Sequence, residues 1–223
     1  TTAEVSQNTI NGNTTSTTAY GIYATDGTIS WHHNEIHGFT GTGTASRYGI
    51  YIHDHDHEIY ANEIYNISGN GHVYGISTGS YSDVVNIYNN EIHDLEYTGP
   101  SGSAYTSNGI HILGASVTVA NNMIYDLGST GDGAPMIRGI ATNTGGTFNI
   151  YYNTIYLKGG GTNTNFGSAG LYLYSSGPTL DIRNNIVVDL STPGTGTSGR
   201  AAAIWKGYTG FANFAASTDR NIY

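Results

Sequence analysis

Ile59-Tyr60-Ala61-Asn62-Glu63-Ile64-Tyr65 returns, in altered form, through almost the whole of this chain. Its centre, Asn-x-Ile or Asn-x-Val, falls at Asn8, Asn34, Asn62, Asn90, Asn122, Asn153 and Asn185, with spacings of 26, 28, 28, 32, 31 and 32 residues. Self-similarity at such a period marks stacked repeats, in which each unit is too small to bury its apolar face alone and buries it against its neighbours.

Aligning the copies on Asn exposes further columns. Three residues earlier stand Val5, Trp31, Ile59, Ile87, Val119, Ile150 and Ile182, and two before those stand Ile29, Val85, Val117, Phe148 and Leu180, with Ala3 and His57 as exceptions. That alternation is the period of a β-strand. After the Ile column come Asn11, His37, Tyr65, His93, Tyr125, Tyr156 and Val188, which alternation turns outward. A third segment is keyed by Gly: Gly21-Ile22-Tyr23, Gly49-Ile50-Tyr51, Gly75-Ile76-Ser77, Gly109-Ile110-His111, Gly139-Ile140-Ala141, Gly170-Leu171-Tyr172 and the degenerate Ala203-Ile204-Trp205.

The two apolar columns flanking Asn are five residues apart, an odd number that a straight strand cannot keep on one face. The chain therefore bends there, and Asn is expected to take left-handed or bridge dihedrals at the corner. Stacked on its equivalents, each Asn amide is expected to point inward and satisfy corner backbone groups as a ladder.

Three strands per coil, an Asn corner and no helical period resemble the right-handed parallel β-helix family, the pectate-lyase-like superfamily with generic β-helix repeats. The resemblance runs from about Val5 to about Trp205. It implies an all-β solenoid of about seven coils with an incomplete eighth, one domain over residues 1–223, with the Gly-Ile segment as first sheet and the segments before and after Asn as second and third. The architecture hosts lyases, hydrolases, adhesins and inert stalks alike, so it does not choose among functions. Polygalacturonase-like members carry clustered aspartates, a His-Gly and an Arg-x-Lys; here His37-Gly38 lacks acidic partners and Arg-x-Lys is absent. Pectate-lyase-like members use calcium-binding acids with a basic residue on the first sheet, for which Arg47 and Arg138 are the candidates.

Composition fits: 32 Gly and 19 Tyr against only 4 Pro suit β-structure with irregular loops. With no Cys there is neither a disulfide nor thiolate chemistry. A net charge of −9 without a basic cluster argues against nucleic acid and anionic membranes, and no run is apolar enough to insert in a bilayer. The chain starts inside a repeat and neither end reads as a cap, so continuation into further coils, an adjoining domain, or head-to-tail contact with other copies is expected. The linkers at residues 39–46, 97–104, 128–134, 159–165 and 191–198 are small, polar and nearly chargeless, and read as spacers.

Three constellations remain. The string His53-Asp54-His55-Asp56-His57-Glu58 lies in a turn, with Asp26 and Asp83 in the equivalent turns of adjacent coils. Asp26, Asp54, Asp56 and Asp83 would gather carboxylates suited to calcium, although His and Asp satisfying one another and the turn backbone is the favoured reading. Glu35, Glu63 and Glu91 follow the ladder Asn in three consecutive coils, a second metal or sugar-hydroxyl candidate whose like charges repel unless a cation or His⁺ intervenes. Rings form the third: Tyr23, Tyr51, His111, Tyr172 and Trp205 share one outward column, Tyr65, Tyr125 and Tyr156 another, and Tyr60, Tyr88 and Tyr151 a third. Such rings either bind sugar faces or a partner, or stabilise the sheet by like-on-like stacking.

The expectation is an extracellular or cell-surface module with a structural, adhesive or carbohydrate-binding role, its partners polysaccharide or further copies, with no catalytic residues and no certain cofactor. The alternative is a polysaccharide lyase or glycoside hydrolase working at the His53 to Glu58 turn or around Arg138 and His111.

Overall fold

The computed structural model describes residues 3–81, 83–132, 134, 136–160 and 163–223. Thr1, Thr2, Ser82, Gly133, Pro135, Gly161 and Thr162 lie outside it. Among the described residues there are strands and no helix, and every strand pairing is parallel. The chain is a β-solenoid, as its period predicts.

Register follows the sequence columns. In the third sheet Ile10, Ile36, Ile64, Ile92, Ile124, Ile155 and Val187 are successive partners, seven rungs with six turns of chain between first and last. An eighth rung begins at a parallel bridge from Ile186 to Ile222. In the first sheet Ile22, Ile50, Ile76, Ile110, Ile140, Leu171 and Ile204 stack the same way. In the second, Val5, Trp31, Ile59, Ile87, Val119, Ile150 and Ile182 do so. First and second segments are not always separate: Ser107–Ala120 and Ile137–Tyr151 run through both as single long strands. A short further strand segment follows the third sheet, where Ile67, Leu95 and Leu127 stack.

These columns meet in one core whose central isoleucines have no exposed surface. Each fully buried Ile contributes about 1.5–3 kcal/mol. The Gly of each Gly-Ile motif has a steric origin. A Cβ on Gly49 would lie 2.4 Å from Ile64 Cγ2 and 2.6 Å from Gly75 O, and Gly109 is equally crowded by Ile124 and Gly139. The third-sheet Ile occupies the volume that a first-sheet side chain would need.

The Asn ladder is present and longer than the Asn-x-Ile pattern shows. Nδ2 of Asn8, Asn34, Asn62, Asn90, Asn122, Asn153 and Asn185 donates to Oδ1 of the next Asn at 2.9–3.0 Å, and the last acceptor is Asn221. The same Oδ1 atoms accept the preceding corner's backbone N–H, as Asn90 does from Asn62 at 3.0 Å. Nδ2 also reaches a carbonyl of the preceding coil, as Asn90 does to Ile59 O at 2.9 Å. Buried corner groups are thereby paired.

One expectation needs correction. The left-handed residue at the corner is not the ladder Asn but the residue before it: Gln7, His33, Ala61, Asn89, Asn121, Tyr152, Asn184 and Arg220 have φ between 51° and 58°. That placement leaves the Asn side chain pointing inward while its predecessor takes the turn. A second left-handed bend follows at Gly38, Asn66, Asp94 and Asp126.

Arg47, a candidate catalytic base by the resemblance, lies on the first sheet but is wholly buried. Its guanidinium lies inside the coil and donates to Ala45 O at 2.7 Å, Ser46 O at 3.1 Å, Thr15 O at 2.5 Å and Thr40 O at 3.4 Å. Burial lowers its pKa, and the carbonyls replace the lost water.

Candidate functional site

Gly and Ile of each Gly-Ile pair in the first sheet both face inward, a local break in strict alternation that leaves one outward residue on each side, so this sheet presents two columns rather than one. Tyr23, Tyr51, Ser77, His111, Ala141, Tyr172 and Trp205 form the expected column. Tyr20, Tyr48, Tyr74, Asn108 and Arg138 form a parallel column that the sequence reading missed. Its signal was the residue immediately before each motif Gly.

Five tyrosines fuse these columns into one patch. Tyr20 stacks on Tyr48 at 5.0 Å and 12°, Tyr48 on Tyr74 at 4.8 Å and 9°, and Tyr23 on Tyr51 at 5.6 Å and 9°. The two columns touch where Tyr20 meets Tyr23 at 4.7 Å and Tyr48 meets Tyr51 at 5.1 Å. Tyr23 is 52% exposed and Tyr20 38%. Stacked rings turn their faces to one another and their edges and hydroxyls outward. Burial, foremost, raises the pKa of Tyr20, Tyr48, Tyr51 and Tyr74, which keeps these phenols protonated.

Past Ser77 the column changes character. His111 Nδ1 lies 3.4 Å from Ser77 Oγ and its ring 5.4 Å from Tyr74. Its pKa is pushed down to about 4 by burial and then by the positive charges of Arg138 and His72. Arg138 covers the Tyr172 ring at 4.4 Å, and Trp205 meets that ring edge-on at 6.5 Å. Tyr172 therefore points outward in register yet is only 9% exposed. Trp205 in turn lies beneath Arg200 at 5.4 Å.

On the third sheet Glu35, Glu63 and Glu91 are direct register partners, as are His37, Tyr65 and His93 beside them, with Tyr125 stacked on His93 in the next coil. The rings stack at 4.8, 5.1 and 4.8 Å. Each carboxylate meets the ring column: Tyr65 OH donates to Glu35 and Tyr125 OH to Glu91, both at 2.6 Å, while His93 Nε2 lies 3.5 Å from Glu63. The bond to Glu35 pushes the Tyr65 pKa up to about 12. Tyr156 pairs with Tyr125 in register at the end of this column. Below it a groove of about 540 Å³ is lined by Tyr65, Asn66, Asp94, Glu96, Asp126 and Lys158, among others. On the second sheet His32, Tyr60 and Tyr88 stack at 4.7 and 4.9 Å, and Arg183 covers Tyr151 at 4.5 Å.

The His53 to Glu58 turn distributes its charges locally. Asp26 Oδ1 lies 3.0 Å from His55 Nε2 and accepts the Gly27 N–H at 2.7 Å. Asp54 lies 3.1 Å from His53, and Asp56 accepts the Val84 N–H at 2.9 Å. The Asp83 carbonyl accepts the Ser116 N–H at 2.8 Å. Among the described residues no three His, Asp or Glu side chains converge as a metal-holding group, and no helix is long and apolar enough to cross a membrane.

Comparison of the chain with family models, with curated proteins and with solved structures returned no match.

Proposed function

We propose that this solenoid is an extracellular or cell-surface module with a structural and adhesive role, binding carbohydrate along the outer face of its first sheet. The observation that supports this is the patch of Tyr20, Tyr23, Tyr48, Tyr51 and Tyr74, a flat lattice of ring edges and phenol hydroxyls on a rigid sheet. Apolar rims beside hydroxyls suit a chain that is itself made of C–H faces and hydroxyls. The inward Asn ladder supports kinship with pectate-lyase-like β-helices. The test is retention on a panel of immobilised polysaccharides: wild-type protein is held and Tyr23→Ala with Tyr51→Ala is not. Absence of retention by every glycan overturns the reading.

A polysaccharide lyase or glycoside hydrolase is the competing proposal, favoured by one observation. Arg138, His111 and His72 lie close enough for their charges to act on one another beside Tyr74. Incubation with the same panel, monitored for unsaturated or reducing ends, separates turnover from binding.

A further inference from the structure

We propose that the five-tyrosine patch is a site of oxidative cross-linking, in which a peroxide-driven one-electron oxidant joins Tyr20 to Tyr48 through their ring carbons and staples two successive coils. This does not depend on glycan binding. Tyr20 and Tyr48 are direct register partners in adjacent coils, 28 residues apart, with rings stacked at 5.0 Å and 12°. Tyr20 is 38% exposed and touches Tyr23, itself 52% exposed, so a diffusing oxidant reaches the patch at its open edge. Neighbouring phenols at 4.7–5.7 Å then let the radical exchange among Tyr20, Tyr23, Tyr48 and Tyr51 before it is quenched.

The chemistry balances. Each of two phenols gives up one electron and its hydroxyl proton. The phenoxyl radicals join by a bond between ortho carbons, and the ortho hydrogens shift to the oxygens as the rings regain aromaticity. One hydrogen peroxide takes up the two electrons and two protons and becomes two waters. Holding the reacting rings in contact makes the coupling effectively unimolecular. A link between coils also removes freedom from the unfolded chain, as any closed loop does.

Exposure alone predicts a different product. Tyr81, Tyr223, Tyr152 and Tyr174 are 69%, 61%, 59% and 56% exposed, and among these Tyr174 has a Tyr ring nearby, Tyr172 at 6.0 Å. The experiment treats dilute protein with hydrogen peroxide and a haem peroxidase, then maps linked peptides by mass spectrometry. The expected product is an intramolecular Tyr20–Tyr48 link lacking two hydrogens, absent from Tyr20→Phe and from Tyr48→Phe. Those substitutions keep the ring stack and the circular dichroism of the fold. A product dominated by Tyr81, Tyr152, Tyr174 or Tyr223, or the same Tyr20–Tyr48 yield from urea-unfolded chain, overturns the proposal. Glycan retention is measured on separate, unoxidised protein, so either idea can fail alone.

Discussion

Trp31 and His57 meet inside the solenoid, the indole Nε1–H donating to the imidazole Nδ1 across 3.3 Å. With Nδ1 accepting, the imidazole proton sits on Nε2 and is given to Asp54 O at 2.7 Å. Burial is the first cause that lowers the His57 pKa from 6.5. The native state therefore binds fewer protons than the unfolded chain just below that value, so the stability this neutral ring contributes is whole above about pH 6.5 and is lost as pH falls through the folded pKa. Imidazole NMR titration should place the His57 midpoint below 6.5, and Trp31→Phe should raise it. A wild-type midpoint at or above 6.5 contradicts the buried neutral pair.

The ladder is expected to be worth most at its middle. Asn90→Ala leaves Ile59 O and the Asn62 N–H without their partners in a dry corner. At about 1–3 kcal/mol for each buried group left unmade, the loss should be about 3 kcal/mol or more. Asn8→Ala, at an exposed rung, should cost less than about 1 kcal/mol. Urea denaturation of the two variants checks the contrast, and equal losses would mean the amides carry no such weight.

Tyr152 holds φ at 56°, the left-handed corner that Asn89, Asn121 and Asn184 fill in other coils, while its side chain is 59% exposed. An L-residue with a bulky side chain pays about 1–2 kcal/mol there, and Asn less. Tyr152→Asn should raise stability by about 1 kcal/mol, read as a higher thermal midpoint. A lower midpoint would show packing that the corner geometry does not reveal.

The phenol of Tyr65 should titrate at about pH 12 because it donates to Glu35. In Glu35→Gln that anionic acceptor is gone, and the titration should move down towards the ordinary tyrosine value of about 10. Ring-carbon NMR of labelled tyrosine follows the shift, and an unmoved midpoint would break the link between the two columns.

Much of this was legible beforehand because period, alternation and turn chemistry are local. Val5 to Ile182 and Ile10 to Val187 landed in register as their columns implied. Asn221 escaped because its rung reads Asn-Ile-Tyr, without Ile or Val two residues on. Arg47 reads as a candidate base because its charge outweighs its column. Two residues before the motif Gly, its register partners are Ala19 and Val73, small or apolar like an inward position. Tyr20, Tyr48 and Tyr74 stand two residues before an inward Ile, where strict alternation predicts an inward side chain, and only the break at Gly-Ile turns them outward.

By itself the amino-acid order determined the coil, its inside and outside, and the ladder, since each depends on spacings within one repeat. Only the tertiary structure decided which ring covers which, which carboxylate finds which donor, and that Arg47 turns inward. Those contacts join residues some thirty positions apart across linkers of unequal length, and a slip of one residue in the pairing of two coils would exchange the vertical neighbours between them.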